Sequence, residues 1–211
     1  MFILFLFTSC KETALKNETY YPNKEVYLES DVVVINIDSL EGKALDFFHE
    51  VYDIYYDKKT PTIKIQNDFS KKFIIPGFFD GGLYYKRNIL DVTTDLIISD
   101  TTYHISELKE ALKNHLINYG KNPKLSDSPD RAIVSIKIDT TESIANLKSR
   151  LIDVTQAFDE IANETDENLE LILFLDIHIP LPPFLEIPQG TFKYELYFAE
   201  FGGRMGLKKS L

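Results

Sequence analysis

Four aspartates stand where chemistry could be done. Asp38, Asp100, Asp139 and Asp176 each fall just after an apolar, strand-like stretch. In an open α/β sheet such positions gather at one edge, where carboxylates could hold a metal or serve as acid and base. Their local setting points to a plainer role. Asp38 and Asp139 each have a glutamate three residues on, Glu41 and Glu142. That is the spacing of a capping box, in which both side chains serve helix amides. Asp100 sits in a turn with Thr101. The histidines, His49, His104, His115 and His178, show no three- or four-residue pairing and no His-Glu-x-x-His pattern. His49 and His115 fall inside helical stretches and are read as surface or boundary residues. A Gly-x-Ser-x-Gly elbow, a phosphate-binding loop and a dinucleotide glycine pattern are all absent. No catalytic residue, cofactor or metal ligand is assigned. The one remaining reactive group is the single cysteine, Cys10, so an intrachain disulfide and a multi-cysteine zinc site are excluded.

The elements around these residues form three strand-then-helix units. Asp31 to Ile37 is β-branched and reads as a buried strand. Leu40, Ala44, Phe47, Phe48, Val51, Ile54 and Tyr55 follow at helical spacing, and Lys58-Lys59-Thr60-Pro61 stops the helix. Thr62 to Gln66 returns as a strand. The second unit runs from a strand at Thr94 to Ile98 into a helix near Ser106. Its stripe is Ile105, Leu108, Leu112, Leu116 and Tyr119, with Gly120 at the C-cap. The third is a strand from Ala132 to Ile138 and a helix with Ile144, Leu147, Leu151, Val154, Phe158 and Ile161. A central strand from Leu169 to Ile177 closes it. Ile35 to Glu41 matches Ile136 to Glu142, and the helical stripes then slip by one residue. The match is read as shared strand-to-helix physics, with a degenerate duplication left open.

Asp80-Gly81 predicts a hairpin turn between two aromatic runs that contain Phe78, Phe79, Tyr84 and Tyr85. Near the end, Phe192, Tyr194, Leu196 and Phe198 alternate with polar neighbours as a half-buried strand. Exposed aromatics make good interface anchors, so Phe78, Phe79, Tyr84, Tyr85, Phe192, Tyr194 and Phe198 are the candidate partner surface. The expected class is α/β, with α+β as the alternative. It has two or three βα units on a mixed sheet, helices packed against it, and a C-terminal strand. The expected segments are a signal and tether (1–24), an N-terminal βαβ unit with the aromatic hairpin (25–90), an α/β domain (91–180), and a Pro-rich segment with strand and tail (181–211). The net charge of −10 argues against a nucleic-acid partner.

Three resemblances imply a location and a family. Met1 to Phe7 is apolar, Thr8 and Ser9 are small, and Cys10 follows. The run is far shorter than the ~20 apolar residues of a membrane span. Phe-Thr-Ser-Cys resembles the lipobox of bacterial lipoproteins, which implies a lipid on Cys10 and a place in the cell envelope, periplasm-facing or at the surface. Lys11-Glu12 resembles the surface-export signal of Bacteroidetes-type lipoproteins. Residues 94–177 resemble the periplasmic domain of the ExbD/TolR family of biopolymer-transport proteins. The carrying residues are Ile105-Ser106-Glu107-Leu108, Asn118 to Pro123, Ser126 to Pro129, Ala132 to Asp139, and Val154 to Ile161. The resemblance implies a non-enzymatic binding or scaffolding role, self-pairing into a homodimer, and contact with a TonB-like protein or the cell wall. That family carries an N-terminal membrane helix with a proton-binding aspartate. This chain has a lipobox-like segment and an extra βαβ unit instead, so proton conduction is not carried over. Two other readings compete. An envelope enzyme would bring Asp38, Asp139 and Asp176 together. A surface nutrient-binding lipoprotein would expose the aromatic hairpin.

Overall fold

The computed structural model describes residues 17–66, 70–79, 84–165 and 167–178. They form an α/β fold built on two mixed sheets. The first sheet contains β1 (Asn17–Tyr21), β2 (Val32–Asn36), β3 (Thr60–Gln66) and β4 (Ser70–Ile74), in the order β1-β4-β3-β2. A short helix, α1 (Lys24–Glu29), follows β1, and α2 (Ala44–Tyr56) joins β2 to the parallel β3. The second sheet contains β5 (Ile89–Val92), β6 (Leu96–Ile98), β7 (Thr102–His104), β8 (Ile133–Asp139) and β9 (Ile172–His178), in the order β7-β6-β5-β8-β9. Helix α3 (Leu108–Leu116) joins β7 to β8, and α4 (Ile144–Glu164) joins β8 to β9. Among the described residues no helix is long and apolar enough to cross a membrane.

Alternation decides the faces of the second sheet. Val134, Ile136 and Ile138 of β8, Leu173 and Leu175 of β9, and Leu90 and Val92 of β5 are all buried beneath the helices. Leu112 and Leu116 of α3 and Leu147, Leu151, Val154 and Ile161 of α4 meet them. One hydrophobic core runs on into the first sheet through Ile35, Ile63, Ile74, Phe47 and Val51.

Polar latches join the first sheet to α4. Tyr21 Oη donates to Asp159 at 2.7 Å, and Lys72 Nζ reaches Asp159 at 2.8 Å and Thr155 at 3.0 Å. Lys148 pairs with Asp38 at 2.6 Å. The chain after β4 also crosses to the other sheet. Gly77 N donates to Leu173 O at 2.8 Å, and Leu175 N donates to Gly77 O at 3.1 Å. A Cβ at Gly77 would lie 2.3 Å from the Phe174 ring, so only glycine lets the strands approach this closely.

The two βαβ units meet at their helix starts. Lys43 and Ser143 are the N-cap residues of α2 and α4, and they pair with each other as an antiparallel bridge. Ala44 N donates to Glu142 O at 2.8 Å, and Ile144 N donates to Gly42 O at 3.0 Å. Each helix thereby satisfies an amide that its own turn leaves orphaned. The pairing aligns Ala44 with Ile144, Phe47 with Leu147, Val51 with Leu151, and Ile54 with Val154. The one-residue slip between the stripes is the insertion of Gly42, held at φ +110°, where a Cβ would be strained.

Several expectations are corrected. The second unit is not a simple strand and helix. Leu96–Ile98 is the middle of a β5-β6-β7 meander, and the sequence pattern missed β5. Asp139 and Glu142 interact as the spacing predicts, Asp139 Oδ1 accepting from Thr141 N at 2.7 Å and Glu142 Oε2 from Asp139 N at 3.4 Å, but in the turn ahead of the helix. Ser143, not Asp139, caps α4, its hydroxyl accepting from Asn146 N at 3.2 Å. Asp38 instead accepts from Gln66 N at 2.7 Å, across the sheet. The reciprocal box belongs to His104 and Glu107, ahead of α3. Helix α3 ends at Leu116, so Gly120, at φ +70°, lies in the following turn rather than at the cap. His115 is fully buried, not a surface residue.

Candidate functional site

The helices cover one face of the second sheet. The opposite face carries the alternate side chains, and among them is a charged row. Lys137 of β8 sits between Asp176 of β9 and Asp91 of β5. Its ammonium is 2.5 Å from Asp176 Oδ2 and 3.2 Å from Asp91 Oδ1, the second contact lacking hydrogen-bond alignment. The ring of Phe79 lies 5.8 Å from the same ammonium. Burial works against the Lys137 charge, but Asp176 and Asp91 outweigh it and hold its pKa above the ordinary lysine value. Ser135, one pleat earlier, is fully buried, and its Oγ has no hydrogen-bond partner among the described residues.

An aromatic cluster stands beside this row. Phe79 packs on Phe174 at 4.8 Å and on Tyr84 at 5.2 Å, and Tyr84 meets Phe174 at 5.5 Å. A cleft of about 240 Å³ lies on one side, lined by Phe79, Lys86, Asp91, Ile98, Lys137 and Asp176. A second, of about 300 Å³, is lined by Tyr84, Tyr85, Arg131, Ile133, Ile172 and Phe174. Two carboxylates, two ammonium groups and flat aromatic walls suit recognition of a polypeptide with mixed polar and apolar side chains.

The sequence-predicted site residues separate. Phe79 and Tyr84 join this cluster, and Tyr85 is 68% exposed, stacked near Arg87 at 5.5 Å. Phe78 is a correction: it is 4% exposed and packs against Tyr52, Tyr55 and Phe48 of α2. It points to the other side of its strand-like segment and belongs to the core. Its burial counts against an exposed aromatic hairpin taken as a whole. The Asp80-Gly81 turn, Cys10, Lys11, Glu12, Phe192, Tyr194 and Phe198 lie outside the described residues.

The four aspartates are also spread among separate partners. Asp38 binds Lys148 and Gln66 N; Asp100 pairs with Lys124 at 3.3 Å. Asp139 accepts from Thr141 N at 2.7 Å, and Asp176 holds Lys137. Among the described residues no group of three or more His, Cys, Asp or Glu side chains is placed to hold a metal ion. Lys137 and Asp91 were missed by sequence reasoning. A lysine inside Ile136-Lys137-Ile138 was the available signal, since a charge amid a central strand needs a partner on the opposite face.

Two buried polar groups shape the sheet behind the site. Arg150 of α4 is ion-paired with Glu142 and donates to Lys137 O at 2.7 Å and Val92 O at 3.3 Å. Burial pushes the Glu142 carboxyl up and the Arg150 guanidinium down, each partly offset by the other's charge. His115 bonds Asn88 O at 3.1 Å, and burial drives its pKa down to about 4.

Compared with known proteins, the sequence matches no family model, no curated protein and no solved structure.

Proposed function

We propose that this chain is an envelope lipoprotein, anchored through Cys10, that works as a non-enzymatic binding or scaffolding module of the ExbD/TolR periplasmic type. One observation carries the binding role. Among the described residues the five-stranded sheet has helices on one face only, and its other face presents the Phe79, Tyr84 and Phe174 cluster beside the Asp91-Lys137-Asp176 row. The family resemblance supports the reading from the same region, since residues 94–177 supply most of that sheet. A partner strand or loop from a TonB-like protein, the cell wall, or a second copy of the chain would lie across this face. The lipid anchor rests on the apolar run and small residues before Cys10.

The anchor is tested by metabolic labelling with a clickable fatty acid, wild type against Cys10→Ala. Label lost in the variant supports the anchor, and absence of label in both removes it. The homodimer is tested by light scattering after deletion of residues 190–211, which contain Phe192, Tyr194 and Phe198. An unchanged mass would remove the C-terminal strand as the dimer contact.

A further inference from the structure

The two βαβ units begin alike and are finished differently. In the second unit β8 has β9 on one side and β5 on the other. Strand β5 runs parallel to β8, with Leu90 opposite Val134, Asp91 opposite Ser135 and Val92 opposite Ile136. In the first unit β2 has β3 on one side, and among the described residues its other side carries no strand. The shared Ile-x-Ile-Asp pattern aligns Val33 with Val134, Val34 with Ser135 and Ile35 with Ile136. Val134 and Ser135 are fully buried, whereas Val33 is half-buried and Val34 is 43% exposed. The bare edge therefore offers backbone donors and acceptors flanked by β-branched side chains, the arrangement that templates an added strand.

The helix that follows β2 says what kind of strand fits. In the second unit Arg150 reaches down from α4 and donates to Val92 O, at the end of β5. Counted from the paired N-caps Ser143 and Lys43, the α2 residue in that place is Glu50. Glu50 is exposed, and Asp46 and Asp53 flank it at four- and three-residue steps on the same helix face. None of the three has an ion pair among the described residues. His49 is the only basic side chain within α2, and Lys43 stands at its N-cap. Asp46 in the first turn suits the helix dipole, whereas Asp53 near the C-terminus opposes it and does not serve the helix itself. The acidic α3/α4 surface is different, because Lys109 and Lys113 neutralise Glu160 and Glu164 there.

We infer that the β2 edge receives an extended basic segment of a partner protein. The segment lies parallel to β2 in the place β5 holds against β8, with basic side chains on Asp46, Glu50 and Asp53. This surface is separate from the aromatic face described above, so either can fail alone.

The test is nuclear magnetic resonance of the isotopically labelled full chain with two end-blocked synthetic peptides. Both are extended segments of β5 length with apolar residues at the places of Ile89 and Asp91, one with lysines and the other with glutamates at the places of Leu90 and Val92, which face the helix side. The lysine peptide is expected to shift the amides of Val32–Asn36 and of α2. It should bind about tenfold more tightly than the glutamate peptide, as two or three partly screened ion pairs allow. Glu50→Lys, whose spectrum should otherwise stay native, removes most of that preference. Equal binding of both peptides, or shifts that avoid β2, would overturn the basic partner. Concentration-dependent broadening of the β2 amides without peptide would assign the edge to a second copy and also overturn it.

Discussion

The β2-α2-β3 and β8-α4-β9 units use the same strand, aspartate, turn and helix, and differ in what surrounds them. The second unit has a neighbour on each side of β8 and a helix of 21 residues, against 13 in the first. Its interior can therefore hold a buried Arg150-Glu142 pair, because backbone carbonyls of β5 and β8 accept from the guanidinium Nη1, although Arg150 Nε and Glu142 Oε1 have no partner among the described residues. In the first unit the corresponding helix position is Glu50, in solvent. The same local code thus yields a closed, polar-filled half and an open-edged half. The difference lies in tertiary neighbours rather than in propensity.

The largest effect should come from breaking the closed half. Arg150→Met leaves Glu142 buried and unpaired, and urea denaturation at pH 7 should show a loss of about 3–5 kcal/mol. The matched change Glu50→Met should leave the midpoint unchanged. Adding Glu142→Gln to Arg150→Met should recover a large part of the loss, and equal losses at positions 150 and 50 would erase the contrast. Acid should act next, through His115. Its folded pKa of about 4 lies below its ordinary value of 6.5, so the unfolded chain binds the extra proton. Stability is then full above about pH 6.5 and falls as the pH drops towards 4, by roughly 3 kcal/mol. Comparing wild type with His115→Gln across that window isolates the effect; parallel curves would refute it.

Glycine changes probe the two junctions. Gly77→Ala drives a methyl into the Phe174 ring and should cost about 1–3 kcal/mol, while altering the aromatic face. Gly42→Ala meets no neighbour, only an unfavourable φ, and should cost about 1 kcal/mol in thermal denaturation. A neutral Gly42→Ala would mean that the inserted turn relaxes freely.

The long periodic elements were legible in the sequence. Helix α4 follows its six-residue apolar stripe, and β8 and β9 follow their apolar-rich runs. Strand β5 was not legible, because Ile89-Leu90-Asp91-Val92 is only four residues and its aspartate is explained by Lys137 on another strand. His115 looked like a surface residue because helical spacing alone does not show that Asn88 and β8 close over it. Phe78 and Phe79 are neighbours in sequence, and only the direction of the crossing segment decides which is core and which lines the cleft. The Asp-x-x-Glu repeats were visible, but the Gly42 insertion that brings Lys43 into register with Ser143 became clear only from the bridge between them.

The contrast between the two halves rests on one strand being open and its counterpart closed. Native-state hydrogen exchange of the full chain measures both at once. Amides of Ile133–Asp139 should exchange only through global unfolding, while those of Val32–Asn36 on the outer side of β2 should exchange through local opening, orders of magnitude faster. Equal, global protection of the two strands would show the β2 edge to be covered and would contradict the account.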